Sequence, residues 1–166
     1  MFTAAILTLS DKGSRGERED LGGPLIRDML KTIDAVVSFY EIIPDEKELI
    51  QEKLIDYCNN VDLIITTGGT GLSPRDVAPD ATLDVIEKEI PGIAEAMRMA
   101  GLKKTNRAML SRAVAGIRGK TLIINLPGSP KAVKEGLEAI MDVIPHAVEK
   151  IKGSTEDCAV SEEVRR

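Results

Sequence analysis

Short apolar runs alternate along this chain with segments in which apolar residues recur every three or four positions. The continuous apolar runs lie at 4–9, 35–43 and 61–67, and shorter extended segments lie at 113–117 and 121–125. Helical spacing marks 24–30, 45–57, 81–89, 93–100 and 130–151. Strands that are covered on both faces are apolar throughout, and helices between them connect parallel neighbours. The alternation therefore predicts a three-layer α/β/α sandwich with a mostly parallel sheet.

The length of the chain favours one domain. At 166 residues, folding buries roughly 70% of the surface of the unfolded chain, which is enough for a substantial core. Aromatic residues make up 2% of the chain and tryptophan is absent, so the core must be aliphatic. Residues 1–153 contain no repeat or linker and are expected to form a single domain. Residues 154–166 are polar and are expected to form a mobile tail.

Composition also excludes several classes of function. The net charge is −5 and the basic residues are scattered singly, so we expect no nucleic-acid partner. The apolar runs are far shorter than the ~20 residues that span a bilayer, and no basic segment precedes the first of them. Cys58 and Cys158 lack metal-ligand spacing and are expected to be free thiols. These features together predict a soluble, cytoplasmic protein that does not enter membranes.

Polar residues and glycines follow four of the predicted strands. Ser10 and Asp11 follow the first strand, and Asp45 follows the second. The third strand ends in Gly68–Gly71 and the last one in Pro127–Ser129. Because ligands of open α/β sheets bind at the carboxyl ends of the strands, these four ends are expected to build one site.

Two of these strand ends are suited to bind anions. The glycines of Gly68–Gly71 would allow backbone amides to approach a phosphate, although a simple turn with positive φ explains them equally well. The segment lacks the lysine of a Walker loop and the third glycine of a dinucleotide fingerprint. Ser129 before Pro130 predicts a capped helix start, which either binds phosphate or serves only as a cap.

Three aspartates and the single histidine needed separate interpretations. Asp76 lies in a loop between two prolines, where a carboxylate fits a metal ligand, a general base or an Asx turn. Asp45 precedes Glu46-Lys47-Glu48, so an N-cap alone would explain it. Asp80 is likewise predicted to cap a helix, and His146 to be a structural or surface residue.

Three segments resemble the molybdopterin adenylyltransferase family, which includes gephyrin-type G domains. They are TGGTGLSPRDVAPDAT at 67–82, MLSRAVAGIRG at 109–119 and INLPGSPKAV at 124–133. The segments at 7–11 and 43–46 agree as well, so the resemblance covers nearly the whole chain up to about Gly153. One departure is Ala78, where the family often has threonine.

The resemblance implies a trimeric enzyme that joins the molybdopterin phosphate to AMP from ATP and releases pyrophosphate, with a divalent cation. It implies that Asp45 and Asp76 are the catalytic acidic pair and bind Mg²⁺. The residues implied to bind molybdopterin are Gly68, Gly69, Thr70, Gly71, Ser111, Pro127, Gly128 and Ser129. Those implied on the nucleotide side are Ser10, Asp11 and Asp20.

The chemistry of this reaction is compatible with the residues. Joining two polyanionic phosphates requires charge neutralisation and in-line positioning more than a strong protein nucleophile. Mg²⁺ held by one or two carboxylates and by substrate phosphates would supply both, and Arg75 or Lys131 is available to assist. Two alternatives remain open at this point: a trimer that carries molybdopterin without turnover, and a self-assembling scaffold that retains the pocket passively.

Overall fold

A computed structural model describes residues 1–154. The six strands are β1 Phe2–Leu9, β2 Ala35–Ile43, β3 Leu63–Thr67, β4 Lys88–Glu89, β5 Ala115–Arg118 and β6 Thr121–Leu126. The helices are α1 Asp11–Ser14, α2 Gly22–Lys31, α3 Lys47–Cys58, α4 Ala78–Val85, α5 Pro91–Leu102, α6 Pro130–Glu138 and α7 Ile144–Ile151, with a 3₁₀ helix at Asn106–Leu110. Cys158 and all of the predicted tail except Ser154 lie outside the described residues.

The strands form one sheet in the order β2-β1-β3-β6-β5-β4. The first four are parallel, whereas β5 pairs antiparallel with both β6 and β4. The predicted mostly parallel sheet is therefore confirmed. The parallel half has its carboxyl ends along one edge, where the candidate site lies.

Helices cover both faces of the sheet, which confirms the three-layer fold. Ile6, Ile65 and Ile124 point to the face that is packed by α2, α5, α6 and α7. The neighbouring residues Leu7, Ile64 and Ile123 point to the opposite face, which is packed by α3 and α4. Because side chains alternate along a strand, a continuous aliphatic run fills both cores at once. All six of these side chains are fully buried, which stabilises the fold by roughly 1.5–3 kcal/mol for each side chain.

Two of the helix predictions were wrong in part. The helix predicted over 81–89 ends at Val85, and Lys88–Glu89 instead extends the sheet by pairing with β5. The helix predicted over 130–151 is two helices, α6 and α7, separated by a turn. Pro145 has no N–H to donate to the turn before it, so it fits only at the start of a new helix.

The helices of residues 1–154 are too short and too polar to cross a bilayer.

Candidate functional site

A cavity of about 570 Å³ lies at the carboxyl ends of the four parallel strands. Each of these strand ends contributes to its wall, as the sequence predicted. Among the lining residues are Ser10, Asp20, Asp45, Gly68, Gly69, Asp76, Gly128, Ser129 and Pro130. We call this space the first cavity.

Glycine is required where β3 meets the first cavity. Gly68 has φ +97° and Gly69 has φ +65°, a region of backbone space that other residues rarely adopt. A Cβ on Gly68 would overlap the carbonyl oxygen of Leu9. The Gly68 N–H donates to the carbonyl of Leu126 at 3.1 Å, and a Cβ on Gly128 would lie 3.4 Å from the Cα of Gly68. The glycine turn and the Gly128 loop therefore pack directly on each other.

A second cavity of about 290 Å³ begins where the glycine turn leaves the first one. Thr70, Gly71, Ser111 and Pro127 line it, together with apolar residues of α5 and the 3₁₀ helix. Arg98 also lines it, and this side chain donates to the carbonyls of Ser111 and Ala113 at 3.3 and 3.0 Å. The residues predicted to bind molybdopterin are thus divided between two cavities that share the glycine turn and the Pro127–Gly128 loop.

Asp45 does not cap α3, so that interpretation was wrong. Glu46 holds the N-cap position and makes no side-chain bond there. The Asp45 carboxylate instead accepts the Asp11 N–H at 3.1 Å, and the Asp45 N–H donates to Oδ1 of Asp11 at 3.0 Å. Burial raises the pKa of Asp45, and the negative charges of Asp11 and Asp76 raise it further. A cation bound beside Asp45 would relieve this repulsion.

Asp76 closes its own loop and also faces the first cavity. Its Oδ2 accepts the Ser73 N–H at 2.9 Å, and its own N–H donates back to the Ser73 carbonyl at 2.9 Å. A Cβ on Gly71 would lie 2.9 Å from the same Oδ2. The predicted alternative, an Asx turn, was wrong, because such a turn would use the N–H of Ala78, which donates to the Gly69 carbonyl instead. The bonds with Ser73 hold the carboxylate in the wall of the first cavity.

The donor set fits a magnesium ion shared with substrate. Within residues 1–154, no group of three or more His, Cys, Asp or Glu side chains is placed to surround a metal. Four carboxylate residues line the first cavity, and one of them, Asp20, is occupied by internal hydrogen bonds. Asp45 and Asp76 would supply the one or two carboxylates that Mg²⁺ commonly takes from a protein when substrate phosphates provide further oxygens. These two residues are the ones that would hold it.

The residues implied on the nucleotide side differ in whether they line the first cavity. Ser10 lines it but accepts the Gly13 N–H at 2.9 Å as the N-cap of α1. Asp11 is not among the lining residues, and its carboxylate pairs with Arg75. Ser129 caps α6 by accepting the Ala132 N–H at 3.2 Å, so the predicted cap lies at the cavity as well. His146 is exposed on α7, outside both cavities.

The carboxylate of Asp20 is saturated by hydrogen bonds from the protein itself. Its Oδ1 accepts the N–H groups of Gly22 and Gly23 at 2.9 and 3.0 Å. Its Oδ2 accepts the hydroxyls of Thr8 and Tyr40, both at 2.6 Å. Burial opposes ionisation, but these bonds together hold the pKa of Asp20 below its usual value. Asp20 thus joins β1, β2 and the start of α2, and a nucleotide hydroxyl would have to compete with four internal donors.

We expect Asp20→Asn to lower the free energy of unfolding by about 2 kcal/mol, because bonds to a charged carboxylate are worth ~1.5–3 kcal/mol. An amide NH₂ turned toward Gly22 and Gly23 would meet two N–H donors, and one turned toward the hydroxyls would force them to rotate and accept. For a chain of this size, the expected loss corresponds to a melting temperature lower by roughly 4–8 °C. The control Asp28→Asn removes an exposed ion pair and should leave the melting temperature close to that of the parent chain.

The stability of the parent chain and that of Asp20→Asn should depend differently on pH. Because the folded-state pKa of Asp20 is depressed, its contribution is complete above the unfolded value of 3.8 and is lost as pH falls through the folded value. Denaturant titrations below pH 4 should therefore show a steeper loss of stability in the parent chain than in Asp20→Asn. Parallel curves would show that the four bonds do not favour the charged form.

Arg112 lines neither cavity but supports the loop that carries Asp76, a role that the sequence did not indicate. Its guanidinium donates to the carbonyls of Gly71 and Asp76 and, at 3.2 and 3.0 Å, to the two carboxylate oxygens of Asp80. The predicted cap at Asp80 was wrong, because α4 begins at Ala78 and Asp80 lies in its first turn. Hydrogen bonding from Arg112 lowers the pKa of Asp80. Arg112 follows Ser111 in the segment at 109–119. Its bonding partners lie 32 to 41 positions away, so no local pattern in the sequence indicates these bonds.

Comparison with known proteins gives one family. Residues 5–146 match the family described as "Probable molybdopterin binding domain". The molybdopterin adenylyltransferase of Helicobacter pylori strain 26695 is 46% identical over 153 residues, which cover 90% of this chain and 87% of that protein. The molybdopterin adenylyltransferase of Escherichia coli K12 is 40% identical over 153 residues, covering 86% and 77%.

Solved structures agree with these relatives. The molybdopterin biosynthesis enzyme MoaB of Thermus thermophilus superposes with a TM-score of 0.88 at 51% identity. The alignment covers 93% of this chain and 98% of that one. A tungsten cofactor synthesizing protein, MoaB of Pyrococcus furiosus, superposes with a TM-score of 0.85 at 35% identity over 92% and 98% of the two chains.

Proposed function

The chain belongs to the molybdopterin-binding domain family, and from this premise we propose that it is a molybdopterin adenylyltransferase of molybdenum cofactor biosynthesis. The observation that carries the proposal is the pair of cavities joined by one glycine turn, with Asp45 and Asp76 in the wall of the first. Two substrates must meet in this reaction, and two adjoining cavities give each a place. Relatives named for this activity at 40–46% identity favour turnover over passive carriage.

The two cavities differ in the chemistry they offer. The second is largely apolar and suits the pterin ring system. Its polar lining residues are Thr70, Arg98, Thr105, Arg107, Ser111 and Glu135. The first has the glycine turn and the capped start of α6, and both features suit phosphate groups. The Gly68 N–H is already bonded to Leu126, so amides that follow Gly68 in the turn would meet the phosphate. The phosphate of molybdopterin would then lie over the glycine turn and point toward the nucleotide.

In the proposed reaction, an oxygen of the molybdopterin phosphate attacks the α-phosphorus of ATP. A new P–O bond forms, the bond from the α-phosphorus to the bridging oxygen breaks, and pyrophosphate leaves with the electron pair. The glycine turn after Gly68 and the start of α6 would hold the reacting phosphates in line, and Asp45 and Asp76 would hold Mg²⁺. When bound, Mg²⁺ neutralises charge that develops on the phosphate oxygens.

Pyrophosphate release by the purified protein tests this function. We expect release that requires molybdopterin, ATP and Mg²⁺ together, with one pyrophosphate per adenylylated pterin. Reactions that omit each component in turn are the controls. Tight molybdopterin binding without pyrophosphate would instead support a non-catalytic carrier, and no pterin binding would support a scaffold.

We also propose that the protein works as a trimer in the cytoplasm. Support comes from an exposed apolar surface where α5 meets the 3₁₀ helix, with Met99, Met109 and Leu110 exposed by 66%, 60% and 49%. Large apolar side chains that are exposed on two adjoining elements are typical of protein interfaces. Light scattering at micromolar concentration is expected to give three times the 17.9 kDa chain mass. A species of one chain mass would contradict the trimer.

A further inference from the structure

Arg75 and Asp11 form an ion pair just outside the first cavity. Arg75 donates from Nε to Oδ2 of Asp11 at 2.9 Å and from Nη2 to Oδ1 at 2.7 Å, a bidentate geometry. Neither residue is among those lining either cavity, although both adjoin residues that do. Arg75 precedes Asp76 in the chain, and Asp11 follows Ser10. The pair therefore connects two segments of the cavity wall, the one that carries Asp76 and the one that carries Ser10.

Asp11 in turn is bonded to Asp45 in both directions. Its N–H donates to the Asp45 carboxylate, and its own Oδ1 accepts the Asp45 N–H, at 3.1 and 3.0 Å. One carboxylate thus accepts from the guanidinium of Arg75 and from the backbone of Asp45. A continuous connection runs from the Asp76 loop through Arg75 and Asp11 to Asp45.

Stability alone is a weak reason for this connection. The side chain of Arg75 is 58% exposed and that of Asp11 is 30% exposed. Ion pairs with such exposure contribute little to stability, because solvent screens them and the side chains lose conformational freedom. The feature that distinguishes this pair from other surface ion pairs is its position between the two carboxylates of the candidate metal site.

We propose that the Arg75–Asp11 pair is a latch that sets the separation and orientation of Asp45 and Asp76. The proposal rests on the adenylyltransferase function and adds two positioning residues to it. Arg75 and Asp11 act through the two aspartates and do not themselves touch substrate. Opening the latch should therefore leave molybdopterin binding unchanged and reduce the rate at which bound substrates react.

The latch and a simple effect of charge predict different behaviour for the variants. Arg75→Gln removes a positive charge near Asp45 and Asp76, whereas Asp11→Asn removes a negative one. If only charge mattered, these two variants would shift the affinity for Mn²⁺ with an ATP analogue methylene-bridged between the α- and β-phosphorus in opposite directions. The latch predicts weaker affinity in both, because each variant breaks the same connection.

Arg75→Lys separates geometry from charge directly. Lysine keeps the positive charge but cannot form two parallel bonds to a carboxylate. The latch predicts that Arg75→Lys resembles Arg75→Gln, with kcat lower by about tenfold and KM for molybdopterin unchanged. The matched control is Arg15→Gln, because Arg15 pairs in the same bidentate way with Glu17 and its charge also acts on Asp11. Arg15→Gln should keep the parent kcat.

Hydrogen exchange of the Asp11 and Asp45 amides tests the latch without any substrate. Both amides donate within the connection, so they should exchange at least several-fold faster in Arg75→Gln and Arg75→Lys, while melting temperatures stay within roughly 2 °C of the parent. Unchanged exchange in both variants would overturn the latch. Faster exchange with unchanged kcat would overturn its positioning role. A parent chain that releases no pyrophosphate would overturn the proposed function, and the exchange result would still decide whether the latch exists.

The double variant Asp11→Asn/Arg75→Gln completes the test. If both residues act through one connection, the double variant should lose no more activity than whichever single variant loses more. Losses that multiply would show two independent effects and would contradict a latch.

Discussion

Replacing Asp45 by asparagine is expected to lower adenylyl transfer by about 100-fold or more while the melting temperature stays the same or rises. Asparagine keeps an acceptor for the Asp11 N–H and removes a charge that burial, Asp11 and Asp76 all disfavour. Because folding raises the pKa of Asp45, the ionised carboxylate lowers the stability of the protein at pH 7. Replacing it by a neutral amide removes that cost. An unchanged melting temperature together with lost turnover would show that Asp45 acts on the reaction and is not needed for stability.

Asp76→Asn should lose turnover to a similar extent. Here a small loss of stability is also expected, because the bond from the Ser73 N–H becomes weaker when its acceptor is neutral. Both variants should still bind molybdopterin, since the glycine turn and Ser111 remain. The control Asp56→Asn changes an exposed aspartate of α3 outside both cavities and should behave as the parent chain.

Pyrophosphate release, pterin affinity and melting temperature should be measured for all three variants side by side. Normal turnover in Asp45→Asn would leave Asp76 as the one carboxylate with a catalytic role. Normal turnover in both would remove the acidic pair from the mechanism altogether.

Gly68→Ala is expected to have the largest effect on stability, lowering the free energy of unfolding by more than about 3 kcal/mol. Alanine at φ +97° is strained by ~1–3 kcal/mol, and its Cβ would also overlap the Leu9 carbonyl oxygen. The clash is with the backbone at the end of β1, so it cannot be relieved by a side-chain rotation. The melting temperature should fall by at least about 6 °C.

Two other glycines separate the contributions to this effect. Gly119 has φ +56° with open space around it, so Gly119→Ala should show only the backbone strain, about 1 kcal/mol. Gly92 has open space and no positive φ, so Gly92→Ala near the start of α5 should be neutral or slightly stabilising. Similar losses in Gly68→Ala and Gly119→Ala would show that the glycine turn moves aside without cost.

The apolar pattern of the sequence was sufficient for the layers of the fold. Ile6 and Leu7, like Ile64 and Ile65, are adjacent in sequence and fill opposite cores, which is why a continuous run predicts a strand covered on both faces. The same pattern located the ends of the parallel strands, and parallel strands bring those ends to one edge. The sequence alone therefore predicted which segments form the wall of the first cavity.

Local patterns were not sufficient where a neighbour from elsewhere in the chain decides the structure. Lys88–Glu89 continues a helical spacing, but pairing with β5 makes it a strand. Asp45 satisfies every local requirement of a helix cap, yet Asp11, 34 positions away, offers it a reciprocal pair of bonds. Asp80 is similarly taken by Arg112, 32 positions away.

Solvation gives the physical reason for this division. Burial of apolar surface depends on the periodicity of a segment, which its own sequence displays, whereas a carboxylate is stabilised by whichever donors the finished fold brings within about 3 Å. Sequence alone therefore determined the layers, the strand ends and the residue types at the site. Only the tertiary structure decided that two cavities share the glycine turn, that Asp20 is saturated, and that Arg75 reaches Asp45 through Asp11.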